Sequence, residues 1–183
     1  TRANVGAGIF MTGATGGDQG AGTINATGFY DDGVLITASS GPTYVNKLTD
    51  QTYSNTTFVA DTALLFAVAA NTKYRFVFNI IINCPGNADI KVQLTGPAAP
   101  TAVRYVTCGY SGGVAPTTAD PAATAFSTSV SLLSTATGQF VTVSGYLDNG
   151  ANAGTVTLEL AQVSNAGTNT TYMGSYVEYQ ILS

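Results

Sequence analysis

The chain has no histidine and no tryptophan, and it is poor in charge. Its 183 residues include 6 lysines and arginines and 10 aspartates and glutamates, so charged residues make up 9% of the sequence. An average soluble domain has roughly 25%. Without histidine, the commonest general base, neither a Ser–His–Asp nor a Cys–His catalytic arrangement can form. We therefore expect a protein without enzymatic activity.

Carboxylates offer the remaining route to acid–base catalysis or metal binding, and their placement favours neither. Asp31 and Asp32 are adjacent in a turn-forming sequence, where acidic residues commonly stabilise the turn itself. The sequence has no run of alternating acids ending in glycine, which a calcium loop requires. We expect no catalytic residue, no metal and no cofactor.

The sequence contains two cysteines, Cys84 and Cys108. Their spacing fits no zinc or redox motif. Each is next to turn-forming residues, so the sequence leaves open whether they form a disulfide or remain free thiols.

Basic residues are too few and too scattered for a nucleic-acid partner. The formal net charge is −4, whereas binding to phosphates requires a clustered basic face. The apolar run at residues 76–82 is interrupted by Asn79 and is far shorter than the roughly 20 residues that span a bilayer. We expect neither nucleic acid nor membrane as a partner. The cations are Arg2, Lys47, Lys73, Arg75, Lys91 and Arg104.

The scarcity of charge also predicts self-association. Surface charge keeps monomers apart in solution, and 45% of this chain is hydrophobic. A chain with so few charges is expected to cover part of its surface with copies of itself or with another protein. A monomer with a neutral surface rich in hydroxyl groups is the alternative.

Composition divides the chain at about residue 57. Residues 1–57 are rich in glycine, threonine and asparagine, which predicts an extended Gly-rich N-terminal arm that contacts a partner. Within the arm, residues 24–36 predict a hairpin, because the turn sequence Asp31-Asp32-Gly33 separates two short apolar stretches. Residues 58–183 predict the folded domain.

Alternating apolar and polar residues predict about eight strands in residues 58–183 and no helix. Eight antiparallel strands with some long connections favour an all-β, jelly-roll-like antiparallel β-sandwich over an up-and-down barrel. The alternation does not specify the order of the strands in the sheets. The predicted strands cover residues 64–68, 74–80, 90–94, 103–106, 126–133, 140–146, 156–160 and 176–182.

Several stretches of the sequence resemble proteins of tailed-bacteriophage particles. GAGTINATGFYDDGVLI at residues 20–36 resembles short N-terminal modules of tail fibres and other virion proteins. LLFAVAANTKYRF at 64–76, GTVTLELAQ at 154–162 and GSYVEY at 174–179 are similar to jelly-roll domains on phage heads and fibres. The resemblance implies a structural virion protein that forms a homotrimer and has no catalytic residue.

Two roles in a virion fit this resemblance: a decoration (cement) protein on the outside of a capsid, and a tail-fibre or receptor-binding module. A single sandwich with an arm able to pair along a neighbouring subunit favours decoration, with the major capsid protein or other virion proteins as partner. The candidate interface residues are apolar residues of the hairpin and of the first long and last strands, namely Ile24, Phe29, Tyr30, Tyr74, Phe76, Tyr176 and Tyr179.

Overall fold

The structure is a computed structural model that describes residues 29–31, 34–36, 41–85, 89–110, 117–132 and 138–182. Every regular element in these ranges is a β-strand, which confirms the all-β prediction, and no described segment is a helix able to span a membrane. The strands are β1 (Phe29–Asp31), β2 (Val34–Ile36), β3 (Thr43–Asn46), β4 (Gln51–Tyr53), β5 (Val59–Val68), β6 (Lys73–Asn83), β7 (Ile90–Thr95), β8 (Ala102–Tyr110), β9 (Thr117–Ala123), β10 (Val130–Leu132), β11 (Gln139–Asp148), β12 (Gly154–Gln162), β13 (Asn169–Thr171) and β14 (Tyr176–Leu182).

The chain divides into two compact units, residues 1–39 and 40–183. In the first unit, β1 and β2 form an antiparallel hairpin in which Asp31 pairs with Val34. This register leaves Asp32 and Gly33 as a two-residue connection, as the Asp-Gly step predicts. The predicted hairpin is therefore formed, while the glycine-rich stretch before it lies outside the described residues.

The second unit is a sandwich of two antiparallel sheets. The small sheet has the order β10-β7-β12-β5, and the large sheet has the order β3-β14-β6-β11-β8-β9. Numbered from β5 to β12, the small sheet holds strands 6-3-8-1, and the part of the large sheet from β6 to its edge at β9 holds strands 2-7-4-5. This is the connectivity of a jelly roll, with eight strands arranged as two Greek keys. The predicted sandwich is confirmed.

Four further strands extend the large sheet beyond the jelly roll. The last strand, β14, pairs with β6, and β3 pairs with the free side of β14. The short β13 pairs with both β4 and β6. Residues 41–57, which the sequence grouped with the arm, thus contribute β3 and β4 to the sandwich.

The core between the sheets is filled by every second side chain of the long strands. Along β6 every second side chain is buried, and the intervening ones face outward. The same alternation runs along β7 and most of β11 and β12. Val130 and Leu132 point inward from β10.

An aromatic cluster joins the two sheets. Phe66 projects from β5 of the small sheet and stacks on Tyr179 of β14, with ring centroids 4.5 Å apart and planes 15° apart. Three rings of β6 surround it at centroid distances of 5.8 to 6.1 Å: Tyr74, Phe76 and Phe78.

A buried ion pair connects the edges of the two sheets. Lys47 follows β3, and its Nζ donates to both carboxylate oxygens of Asp61 on β5 at 2.9 and 2.8 Å. Both side chains are 1% exposed. The backbone amides of Ala63 and Leu64 also donate to Asp61 Oδ1, each at 3.0 Å. The charges are therefore paired and hydrogen-bonded, as buried charges must be.

No disulfide joins Cys84 and Cys108, two residues that the structure describes. Cys84 is buried in the core at the end of β6, whereas Cys108 lies on the outward-facing side of β8. The question that the sequence left open is settled by this separation, because the two thiols lie on opposite sides of the large sheet.

Candidate interaction surface

The outer face of the small sheet is polar, and its polar groups are largely partnered. Gln93 of β7 donates a hydrogen bond of 2.6 Å to Glu159 of β12. Lys91 donates to the backbone oxygen of Thr56 at 2.9 Å and also lies over the ring of Phe58. Such a surface is well suited to contact with water.

The outer face of the large sheet is different. Residues directly opposite each other in an antiparallel ladder project to the same side, so the register gives the composition of this face. It combines apolar and aromatic side chains with few charges. Phe140 is 61% exposed, Tyr44 53% and Val106 42%. The register adds Val77, Ile81, Ser144, Tyr146 and Tyr176 to the same face.

A shallow depression of about 360 Å³ lies in the middle of this face. Its position follows from side-chain size, because Ser144 and Gly145 of β11 are small and their neighbours in the ladders are large. We call it the arginine depression. Its lining residues are Arg75, Phe76, Val77, Arg104, Tyr105, Val106, Ser144, Gly145 and Tyr146.

Gly145 is required where it stands. A Cβ at this position would overlap the ring of Phe76 on the core side and would lie 2.8 Å from the backbone oxygen of Arg104. The ring of Phe76 therefore occupies the space that a side chain on residue 145 would need.

We expect Gly145→Ala to destabilise the fold by about 1–3 kcal/mol, the usual cost of overpacking a core. Urea denaturation followed by circular dichroism measures this loss. Gly41→Ala is the matched control, because a Cβ there meets nothing within 4 Å. Adding Phe76→Leu should recover part of the loss, and a Gly145→Ala variant as stable as the control would contradict the overlap.

Two arginines stand beside the depression. Arg75 of β6 and Arg104 of β8 both pair in register with Tyr146 of β11, so they flank that tyrosine on the outer face. Both are exposed. Neither makes an ion pair or hydrogen bond with another described residue. The depression therefore carries positive charge next to apolar walls.

A negatively charged group borders the depression on its β14 side, because Glu178 pairs in register with Val77. Glu178 of β14 pairs in register with Tyr44 of β3, and the rings of Tyr44 and Tyr176 lie 6.0 Å apart. The pKa of the Tyr44 phenol is raised, first by loss of surrounding water and then by the negative charge of Glu178. We call Tyr44, Tyr176 and Glu178 the edge patch.

The predicted interface residues fall into three groups. Tyr176 lies on the outer face, in the edge patch. Tyr74 and Phe76 are in the core, 2% and 1% exposed, and Tyr179 packs against the same core. Ile24 and the side chains of Phe29 and Tyr30 lie outside the described residues.

Sequence reasoning missed the residues that shape this surface. Arg75 and Arg104 had been counted only as scattered cations, because strand order is needed to bring them to one face. The alternation on β6 did place Arg75 on the other face of the strand from Tyr74 and Phe76. This was the one signal in the sequence that Arg75 points away from the core. Tyr44 lies on β3, which is too short to give a strand pattern.

The described residues contain no group of three or more Cys, Asp or Glu side chains able to hold a metal ion. The surface presents aromatic contact area, hydrogen-bonding groups and charges of both signs, those of Arg75, Arg104 and Glu178. This is the chemistry of a protein–protein contact, in which aromatic residues and arginine are enriched.

Comparison with known proteins identifies no family. No protein-family model matches the chain, and no curated protein matches it. Among solved structures, a chain of the "Structure of infectious bursal disease virus Gx strain" matches 85% of this chain and 44% of its own length, at 11% identity and a TM-score of 0.20. This chain thus spans less than half of the viral chain. The matched chain comes from a virus, but at this TM-score the match assigns neither a family nor a function.

Proposed function

We propose that the chain is a structural protein of a virus particle, and specifically a homotrimeric decoration protein on the outside of a tailed-phage capsid. The observation that carries this proposal is the open outer face of the large sheet. It exposes aromatic and aliphatic side chains in a chain with few charges. Exposed apolar patches of this kind mark interaction sites in soluble proteins.

The architecture supports a structural role in this proposal. A jelly roll occurs in capsid proteins, lectin domains and cupins, so the fold by itself selects no function. The surface chemistry favours assembly over catalysis, and we assign the chain no reaction, no nucleic acid and no membrane. The partners in this proposal are other copies of the chain, the major capsid protein and other virion proteins.

The proposal also uses the N-terminal unit. In a trimer, three arms act together, and the binding of one raises the effective concentration of the other two at the capsid. Each arm can then bind weakly while the trimer stays attached. This arrangement assigns self-association to the sandwich and capsid attachment to residues 1–39.

Solution mass and capsid binding test this function together. We expect light scattering to give three times the chain mass, and we expect the trimer to pellet with undecorated capsids. A chain reduced to residues 40–183 should still form a trimer but should no longer pellet with capsids. A monomer at all concentrations would contradict self-association, and a trimer that leaves capsids bare would contradict decoration.

A tail-fibre or receptor-binding module is the alternative, and one structural feature favours it. A depression of about 480 Å³ lies among the loops at one end of the sandwich, lined by residues 96–103 and 124–126. Loops on a rigid scaffold are common binding sites. A purified trimer that binds host cells and ignores capsids would support this alternative.

A further inference from the structure

The opposite charges of the outer face are separated across the large sheet. Glu178 lies on β14, whereas Arg104 lies on β8, three strands away in the order β14-β6-β11-β8. At about 4.8 Å between neighbouring strands, their backbones are roughly 14 Å apart. Arg75 is closer, on the adjacent β6, yet it forms no ion pair with Glu178. Within one chain neither arginine therefore forms an ion pair with Glu178.

The shapes of the two regions are also complementary. The edge patch is bulky, since Tyr44 is 53% exposed and its ring contacts that of Tyr176. The arginine depression is concave and lined by Val77, Val106 and Tyr146 between its two arginines. An aromatic pair carrying a carboxylate thus fits a concave site that carries two guanidinium groups.

The position of the edge patch makes it accessible to another molecule. In the described part of the large sheet, β3 is the outermost strand on its side and pairs only with β14. The arginine depression lies on the central strands of the same sheet. A contact between two different regions of identical chains is heterologous, and repeating it gives a closed ring when the rotation from copy to copy returns to the first copy.

We propose that the edge patch of one copy docks into the arginine depression of the next copy, with Glu178 of one chain paired to Arg75 and Arg104 of its neighbour. This inference rests on the self-association in the proposed function and names the surface that produces it. A polyanion is a poorer occupant, because Glu178 on the same face and the net charge of −4 repel it. The apolar walls also favour a protein side chain over a sugar or phosphate backbone.

Charge reversal tests the contact in the full chain. Glu178→Arg should place like charges together, and so should the double variant Arg75→Glu/Arg104→Glu. Each is expected to raise the concentration at which the oligomer half-dissociates by about 100-fold, since like charges placed together in an interface cost several kcal/mol and each step of about 1.4 kcal/mol is tenfold in affinity. The triple variant with all three reversals restores opposite charges and is expected to recover the wild-type oligomer. Sedimentation equilibrium over a dilution series measures all four proteins.

Glu159→Arg is the matched control, because it makes the same charge change on the outer face of the small sheet and should leave the mass unchanged. Recovery in the triple variant also excludes misfolding as the cause of dissociation. If the reversed variants assemble like wild type, the docking contact is wrong while self-association stands. A wild-type protein that is monomeric throughout overturns both. If Arg75→Glu/Arg104→Glu keeps the wild-type oligomer mass but no longer pellets with capsids, the depression binds the capsid. That result would overturn docking between copies.

Discussion

Asp61→Ala is expected to lower the free energy of unfolding by about 3–5 kcal/mol, because it leaves the ammonium group of Lys47 buried without a counter-charge. Lys47 is 2% exposed, so water cannot replace the carboxylate without rearrangement of the backbone. Two backbone amides, those of Ala63 and Leu64, would lose their acceptor as well. In a chain of this length the loss corresponds to a drop in melting temperature of about 6–20 °C.

The position of Lys47 adds to the expected effect. Its backbone nitrogen donates to the oxygen of Ser175, and its backbone oxygen accepts from the nitrogen of Gly174. Lys47 thus ties β5 of the small sheet to the turn that precedes β14 of the large sheet. A shift of Lys47 that brought its ammonium group into contact with water would therefore disturb both sheets.

Two controls separate the buried pair from charge in general. Lys73→Ala removes one member of the exposed pair with Asp148, whose atoms are 3.9 Å apart, and should change stability by less than about 1 kcal/mol. The double variant Lys47→Met/Asp61→Leu removes both buried charges and should lose less than Asp61→Ala alone. Urea denaturation measures all three. An Asp61→Ala variant as stable as Lys73→Ala would show that the pair is dispensable.

The long strands could be predicted from the sequence because one face of each packs on the core and the other face is exposed to solvent. Residues 177–181 alternate between apolar and polar side chains, and β14 has the predicted bounds 176–182, although Ile181 near its end is 52% exposed. The pattern of β6 separated Tyr74 and Phe76 from Arg75 for the same reason. Period-two alternation is a local signal, so it survives without knowledge of the partner strands.

The remaining strands gave no such signal. β4 and β13 have three residues each, too few to establish a period. β9 contains Asp120 and Pro121, which argue against a strand, and the structure places it at the edge of the large sheet, where proline is tolerated. These strands were not predicted from the sequence because β4 and β13 are too short and β9 lies at a sheet edge.

The candidate surface depends on long-range pairing, and this explains why the sequence did not predict it. Arg75 and Arg104 are 29 positions apart and meet only because β11 lies between β6 and β8. The Lys47–Asp61 pair likewise joins the edge of the large sheet to the edge of the small sheet. These two edges are close only because the two sheets pack face to face. A sequence gives the residue types on each strand, whereas the neighbours across a sheet follow from strand order.

The aromatic ring of Phe66 is the second feature on which stability should depend strongly. Phe66→Ala is expected to cost about 3–5 kcal/mol, the range for removing a buried phenylalanine. The side chain is 2% exposed and projects from the small sheet into rings of the large sheet, so its removal opens a cavity between the two layers. Each lost aromatic pair contributes about 0.5–1.5 kcal/mol beyond area burial, which places the value toward the upper end of the range.

Phe58→Ala is the control for Phe66→Ala, because Phe58 is only half-buried and its ring lies beneath Lys91, with Nζ 5.4 Å from the ring centroid. It should cost about 1 kcal/mol, mainly through loss of that cation–π contact. Phe66→Leu keeps part of the volume and should fall between the two alanine variants. Chemical denaturation gives the three values under one condition. If Phe66→Ala costs no more than Phe58→Ala, the two sheets are held together chiefly by contacts other than the stacking of Phe66 on Tyr179, and the aromatic cluster is not the link between them.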